Sequence, residues 1–122
     1  MSRSAVREIQ GVGRLKFREG EVEQFKRLWA QLMEIAWSKD TGTLQYEIYF
    51  NDDQSECIVV ERYRDSEALV EHAEHPGALG RAIPGLVSSE LLGQPSDDLR
   101  AKFAAGSVFS RRSCLYRKVR RY

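Results

Sequence analysis

The stretch TLQYEIYF, residues 43–50, constrains the fold more than any other, together with CIVVERYR, residues 57–64, just beyond the polar loop NDDQSE. In the first, Leu44, Tyr46, Ile48 and Phe50 alternate with Gln45, Glu47 and Tyr49. In the second, Cys57, Val59, Glu61 and Tyr63 alternate with Ile58 and Val60. A period of two is the mark of a β-strand, and a connection this short allows only an antiparallel hairpin. Apolar or aromatic residues fall on both faces of this hairpin. A sheet with one covered face would leave an apolar surface bare, which two copies pressed sheet to sheet would bury.

The flanking segments supply the rest of a small α+β fold. Residues 6–17, VREIQGVGRLKF, read as a first strand of imperfect alternation; Gly11 and Gly13 mark either a bulge or a close approach to the backbone. Over residues 21–38, Val22, Phe25, Leu28, Trp29, Leu32, Met33 and Ala36 recur at spacings of three and four, one stripe of a helix, with Ile35 and Trp37 at its side. Residues 40–43, DTGT, read as a turn. Asp65 or Ser66 caps a second helix with Ala68, Leu69 and Ala73 inward and His72 beside them, and Pro76 and Gly77 end it. ALGRAI adds a further turn, LVSSELL a fourth strand, and Ser96 or Asp97 opens a short helix that Gly106 stops. The order β–α–β–β–α–β predicts a ferredoxin-like antiparallel sheet with both helices on one face. Residues 1–106 are expected to form one domain, followed by a basic C-terminal arm over residues 107–122.

Composition narrows the class. A chain of 122 residues with 42% hydrophobic and 30% charged residues suits a single soluble domain. No apolar run approaches the ~20 residues that span a bilayer, and MSRSAVREIQ carries no apolar signal core, so a cytoplasmic protein without a membrane partner is expected. Cys57 and Cys114, isolated from each other, make neither a disulfide framework nor a zinc site. RRSCLYRKVRRY at the end holds six Arg or Lys and no acid, which leaves about −5 on the rest of a chain whose total is +1. Without a nucleic-acid fold motif, this tail is read as solvated or paired with the acidic body, and no nucleic-acid partner is expected.

Residues 42–76, GTLQYEIYFNDDQSECIVVERYRDSEALVEHAEHP, resemble the centre of the antibiotic biosynthesis monooxygenase domain family through Gly42, Tyr46, Glu61, Tyr63, Ala68 and His72. The resemblance implies a dimeric α/β barrel with a pocket between sheet and helices. It also implies oxidation of quinols, anthrones or similar phenols by molecular oxygen as co-substrate, with no metal, flavin or haem as cofactor. Such chemistry asks the protein to hold an electron-rich aromatic, take a proton from it and exclude water. Haem degradation also occurs in this fold group, but its first-strand Asn is missing here, where Gly11 and Gly13 stand.

His72 is the candidate base, since a free imidazole titrates at about pH 6.5; the plainer reading is a half-buried helix histidine bonded to a strand. Tyr63, Tyr46, Tyr49, Trp29 and Trp37 are candidates for the walls of an aromatic pocket, each also explicable as ordinary packing. His75 is read as a helix-end residue, and Glu61 as the partner of an arginine. A His72–His75 metal pair is disfavoured for want of further ligands, Glu71 and Glu74 being expected to face solvent. A non-catalytic barrel binding an aromatic or haem-like guest, and an isomerase on the same scaffold, remain as alternative functions.

Overall fold

The computed structural model describes residues 7–83, 85–103, 106–110 and 118. Along the chain run β1 (Ile9–Lys16), α1 (Glu21–Lys39), β2 (Thr43–Phe50), β3 (Glu56–Tyr63), α2 (Ser66–Glu74), α3 (Ala78–Arg81), β4 (Leu86–Gly93), α4 (Asp97–Lys102) and β5 (Ser107–Ser110). The strands form one sheet in the order β2-β3-β1-β4-β5, antiparallel except for the parallel β4–β5 pair. The first four strands are the ferredoxin-like sheet that the sequence predicts. The first four residues of the expected arm, 107–110, add the fifth; Cys114 and the rest of the basic tail apart from Lys118 lie outside the described residues. No described helix is long and apolar enough to cross a membrane.

The covered face is set by alternation. Ile9, Gly11, Gly13 and Leu15 of β1 lie across from Tyr63, Glu61, Val59 and Cys57 of β3, and these in turn from Thr43, Tyr46, Ile48 and Phe50 of β2. The imperfect pattern of β1 is thereby explained: its glycines hold inward positions, and neither sits at a bulge in the β1–β3 ladder. One assignment needs correction. Leu44 does not join Tyr46, Ile48 and Phe50, because the β2–β3 register shifts between Thr43 and Gln45 and leaves Leu44 as the extra residue, 48% exposed.

Phe25, Trp29 and Leu32 of α1 bury their stripe on Leu15, Cys57 and Val59. A second cluster, Ile9, Leu91 and Leu99, closes the other end beneath α4. Asp65 caps α2 by accepting from the Ala68 amide at 2.9 Å, and Ser96 caps α4 from Leu99 at 3.1 Å. Gly42 lets α2 approach the turn between α1 and β2, since a Cβ there would meet the Ala68 Cβ at 2.5 Å. That contact brings α2 onto residues 40–43, where polar side chains gather.

Candidate functional site

Two adjoining cavities open between the covered sheet face and the helices, of about 290 and 460 Å³. Trp29, Glu61, His72 and Arg81 border both. Tyr46, Ile35 and Ala36 complete the smaller; Gly11, Gly13, Leu69, Leu91 and Phe103 line the larger. The glycines create that volume. A Cβ at Gly11 would come only within 3.7 Å of the Glu61 side chain, and one at Gly13 within 4.0 Å of Val59, so side chains there would fit and would fill the cleft. The walls are mostly apolar with few polar groups, the usual character of a small-molecule site.

Those polar groups form one network. His72 lies on α2, its ring edge-on to Tyr46 at 4.8 Å and tilted against Tyr63 at 5.2 Å. Its Nδ1 donates to Asp40 Oδ2 at 2.6 Å, and its Nε2 stands 3.7 Å from Glu61 Oε1. His75, one turn along α2, donates from Nδ1 to the other oxygen of Asp40 at 2.7 Å. Thr43 Oγ1 donates to Asp40 Oδ2 at 2.7 Å. The Asp40 side chain is 2% exposed, and although burial pushes its carboxyl upward, the hydrogen bonds from His72, Thr43 and His75 prevail and hold it below the usual aspartate value. Asp40 is therefore an ionised carboxylate at neutral pH.

Tyr63 donates its hydroxyl to Glu61 Oε1 in a short hydrogen bond. Burial, and then the charge of Glu61, drive the Tyr63 phenol far above its ordinary pKa; burial, Glu61 and Asp40 do the same for Tyr46. Both phenols thus stay protonated across the physiological range, and Tyr63 serves as a donor, not a base. Trp29 Nε1 is buried without an acceptor among the described residues, its ring between those of Phe25 and Tyr46 at 5.1 and 5.6 Å.

Of the residues singled out by sequence, the structure brings His72, Tyr46 and Trp29 to the cleft. Tyr63 is fully buried and lines neither cavity; it stands behind Glu61, which reaches the cleft in its place. Tyr49 belongs to the opposite sheet face, paired with Ile58, and is 57% exposed. Trp37 falls off the buried stripe of α1 and is 93% exposed, so neither meets the cleft. Three groups escaped the sequence reading. Asp40 was absorbed into a turn, Glu61 was assigned to an arginine, and His75 was set apart from His72. The only sequence signal for Asp40 was its place one residue past the helix end.

Glu71 does not simply face solvent. It accepts from the Thr41 amide at 2.9 Å and the Thr41 hydroxyl at 3.0 Å, and these bonds hold its carboxyl below the usual range. Asp40, Glu71 and His75 consequently bring possible metal-ligand atoms within 4.8 Å of one another. The hydrogen bonds to Thr41, Thr43 and His72 account for that gathering without an ion.

A family model for antibiotic biosynthesis monooxygenase matches residues 11–79, more than half of the chain. Among solved structures, MupZ from Pseudomonas fluorescens is similar over 96% of this chain and 94% of its own, with a TM-score of 0.77 and 24% identity. Rv0793 from Mycobacterium tuberculosis is similar over 74% of this chain and 96% of its own, with a TM-score of 0.60 and 23% identity. PA3566 from Pseudomonas aeruginosa is similar over 71% and 91%, with a TM-score of 0.57 and 21% identity. At these identities the likeness concerns the fold. No curated protein sequence matches the chain.

Proposed function

Because the chain belongs to the antibiotic biosynthesis monooxygenase family, we propose that it oxidises a flat, electron-rich phenolic substrate of the quinol or anthrone type with molecular oxygen, without metal or organic cofactor. The observation that carries this reading is the placement of His72: an imidazole held at Nδ1 by a buried carboxylate, on the wall of an apolar cleft bordered by Trp29 and Tyr46. An anthrone-like carbon acid in that cleft would lose a proton to His72. The carbanion would pass one electron to oxygen, and the carbon radical and superoxide would combine to a peroxide. That peroxide would regain the proton from His72; loss of the second C–H proton with O–O cleavage would then leave a carbonyl and one water. One CH2 and one O2 become one C=O and one H2O, so no further reductant is needed.

The apolar walls disfavour charge in the ground state and exclude water from the carbanion. Glu61 Oε1, 3.7 Å from His72 Nε2, faces the nitrogen that would carry the substrate proton. We further propose that two copies pack through the open sheet face, where Val12, Tyr49, Ile58, Val60 and Phe109 present apolar surface.

Anthrone is the substrate for the test. Oxygen uptake in the presence of a chelator, matched one to one by ketone formation, is expected for the wild-type protein. Uptake no faster than in buffer, at protein concentrations that bind anthrone, would reject the oxygenase and leave a binding protein.

A further inference from the structure

The carboxylate of Asp40 is shared between two imidazoles, and that sharing fixes more than their position. Asp40 is 2% exposed and ionised, so both of its oxygens only accept. His72 Nδ1 meets Oδ2 at 2.6 Å and His75 Nδ1 meets Oδ1 at 2.7 Å. Each ring must therefore carry a proton on Nδ1, and a neutral His72 must leave Nε2 bare, the atom that stands toward Glu61 at the cleft. Asp40 is the C-cap of α1, its backbone amide tied to Ala36 at 3.0 Å, and its side chain is reached by α2 and by Thr43 of β2. Three elements thus converge on one carboxylate, and the titratable groups near it include Glu61 of β3, Glu71 of α2, Tyr46, Tyr63 and the two histidines.

We propose that Asp40 is a positioning residue which locks His72 in the tautomer that makes Nε2 a base, with His75 and Thr43 holding the carboxylate in place. The proposal rests on His72 being the base of the proposed reaction. It has a sharp consequence for Asp40→Asn. An amide offers one accepting oxygen and one donating nitrogen. Whichever way it turns, one of the two histidines must then accept at Nδ1 and move its proton to Nε2.

The test is nitrogen-15 spectroscopy of the imidazoles at pH 8 without substrate, where each tautomer has its own signature, together with kcat and KM on anthrone. The wild-type protein is expected to show Nδ1–H for both histidines, and Asp40→Asn to show one of the two switched. In the variant, kcat is expected to fall by on the order of 10²-fold when His72 is the ring that switches, with KM within about threefold. Thr43→Val removes one donor and keeps the carboxylate, so both tautomers are expected to stay as in wild type. A wild-type His72 protonated on Nε2, or an Asp40→Asn protein with both rings unchanged, overturns the proposal. The wild-type spectrum alone decides it should the variant fail to fold. Absence of anthrone turnover by the wild-type protein would instead overturn the proposed activity, while the tautomer spectra judge Asp40 independently.

Discussion

Two ends of the same sheet face carry opposite kinds of interior. At one end Phe17, Phe25 and Phe50 pack ring on ring at 4.7–6.2 Å, over Cys57 and Leu32, with the Lys26 ammonium at the rim, 5.5 Å from the Phe50 ring. At the other, the Asp40 side chain and Tyr63 are buried and His72, His75 and Glu61 half-buried; Asp40 takes hydrogen bonds from both histidines, and Tyr63 donates to Glu61. Trp29 and Tyr46 bridge the two, so the rings form a continuous chain from Phe17 to Tyr63. The dry end stabilises by burying apolar area, a non-directional effect that tolerates reshaping. The wired end depends on each partner being present, because a buried polar group left unpaired is costly. The first holds its part of the fold by buried area, and the second by directed bonds.

Substitutions on each side sharpen this contrast. Phe25→Ala should cost about 3–5 kcal/mol, read by urea unfolding, since it empties the centre of the dry end. It should leave the imidazole tautomers untouched; a loss of the Nδ1–H pattern in the folded variant would join the two ends more tightly than described. Asp40→Asn should cost about 2–3 kcal/mol at pH 7, because it removes a charged acceptor from three donors. Folding lowers the Asp40 pKa, so its ionised form contributes stability above the ordinary value of 3.8 and loses it as the pH falls through the lower, folded value. The gap between wild type and Asp40→Asn should therefore narrow below about pH 4. A gap that stays constant from pH 7 to pH 3 would deny Asp40 its charge in the native state.

Smaller effects are expected where contacts are fewer. Tyr63→Phe should cost about 1–2 kcal/mol by leaving Glu61 without its donor, although the ring itself still packs. Trp37→Ala should change stability by no more than about 0.5 kcal/mol, for a side chain 93% exposed. A larger loss would reveal a contact made by Trp37 beyond the single protomer.

The dry end was the more legible from sequence. Phe25, Trp29 and Leu32 announce themselves by helical spacing, and Ile48, Phe50, Cys57 and Val59 by alternation. Periodicity names the face on which a residue lies, and an apolar core asks for little more. The wired end asks which residues meet across elements. Asp40 and His72 are separated by 32 positions, and no spacing rule joins the cap of one helix to the last turn of another. The same limit hid the role of Glu61: alternation put it on the inner face with Tyr63, but could not tell which of the two reaches the cleft. Leu44 was misplaced because a bulge leaves no mark in a strand that otherwise alternates. Residue type and the family resemblance single out His72, and residue type singles out Tyr46 and Trp29; all three border the cleft.

In the proposed reaction His72 Nε2 takes the substrate proton. The most direct measurement is anthrone-dependent oxygen uptake by His72→Gly, with and without added imidazole. A fall of about 10²–10⁴-fold in kcat is expected, which free imidazole, entering the vacated space beside Tyr46 and Asp40, partly restores. Turnover by His72→Gly at the wild-type rate, without imidazole, would contradict it.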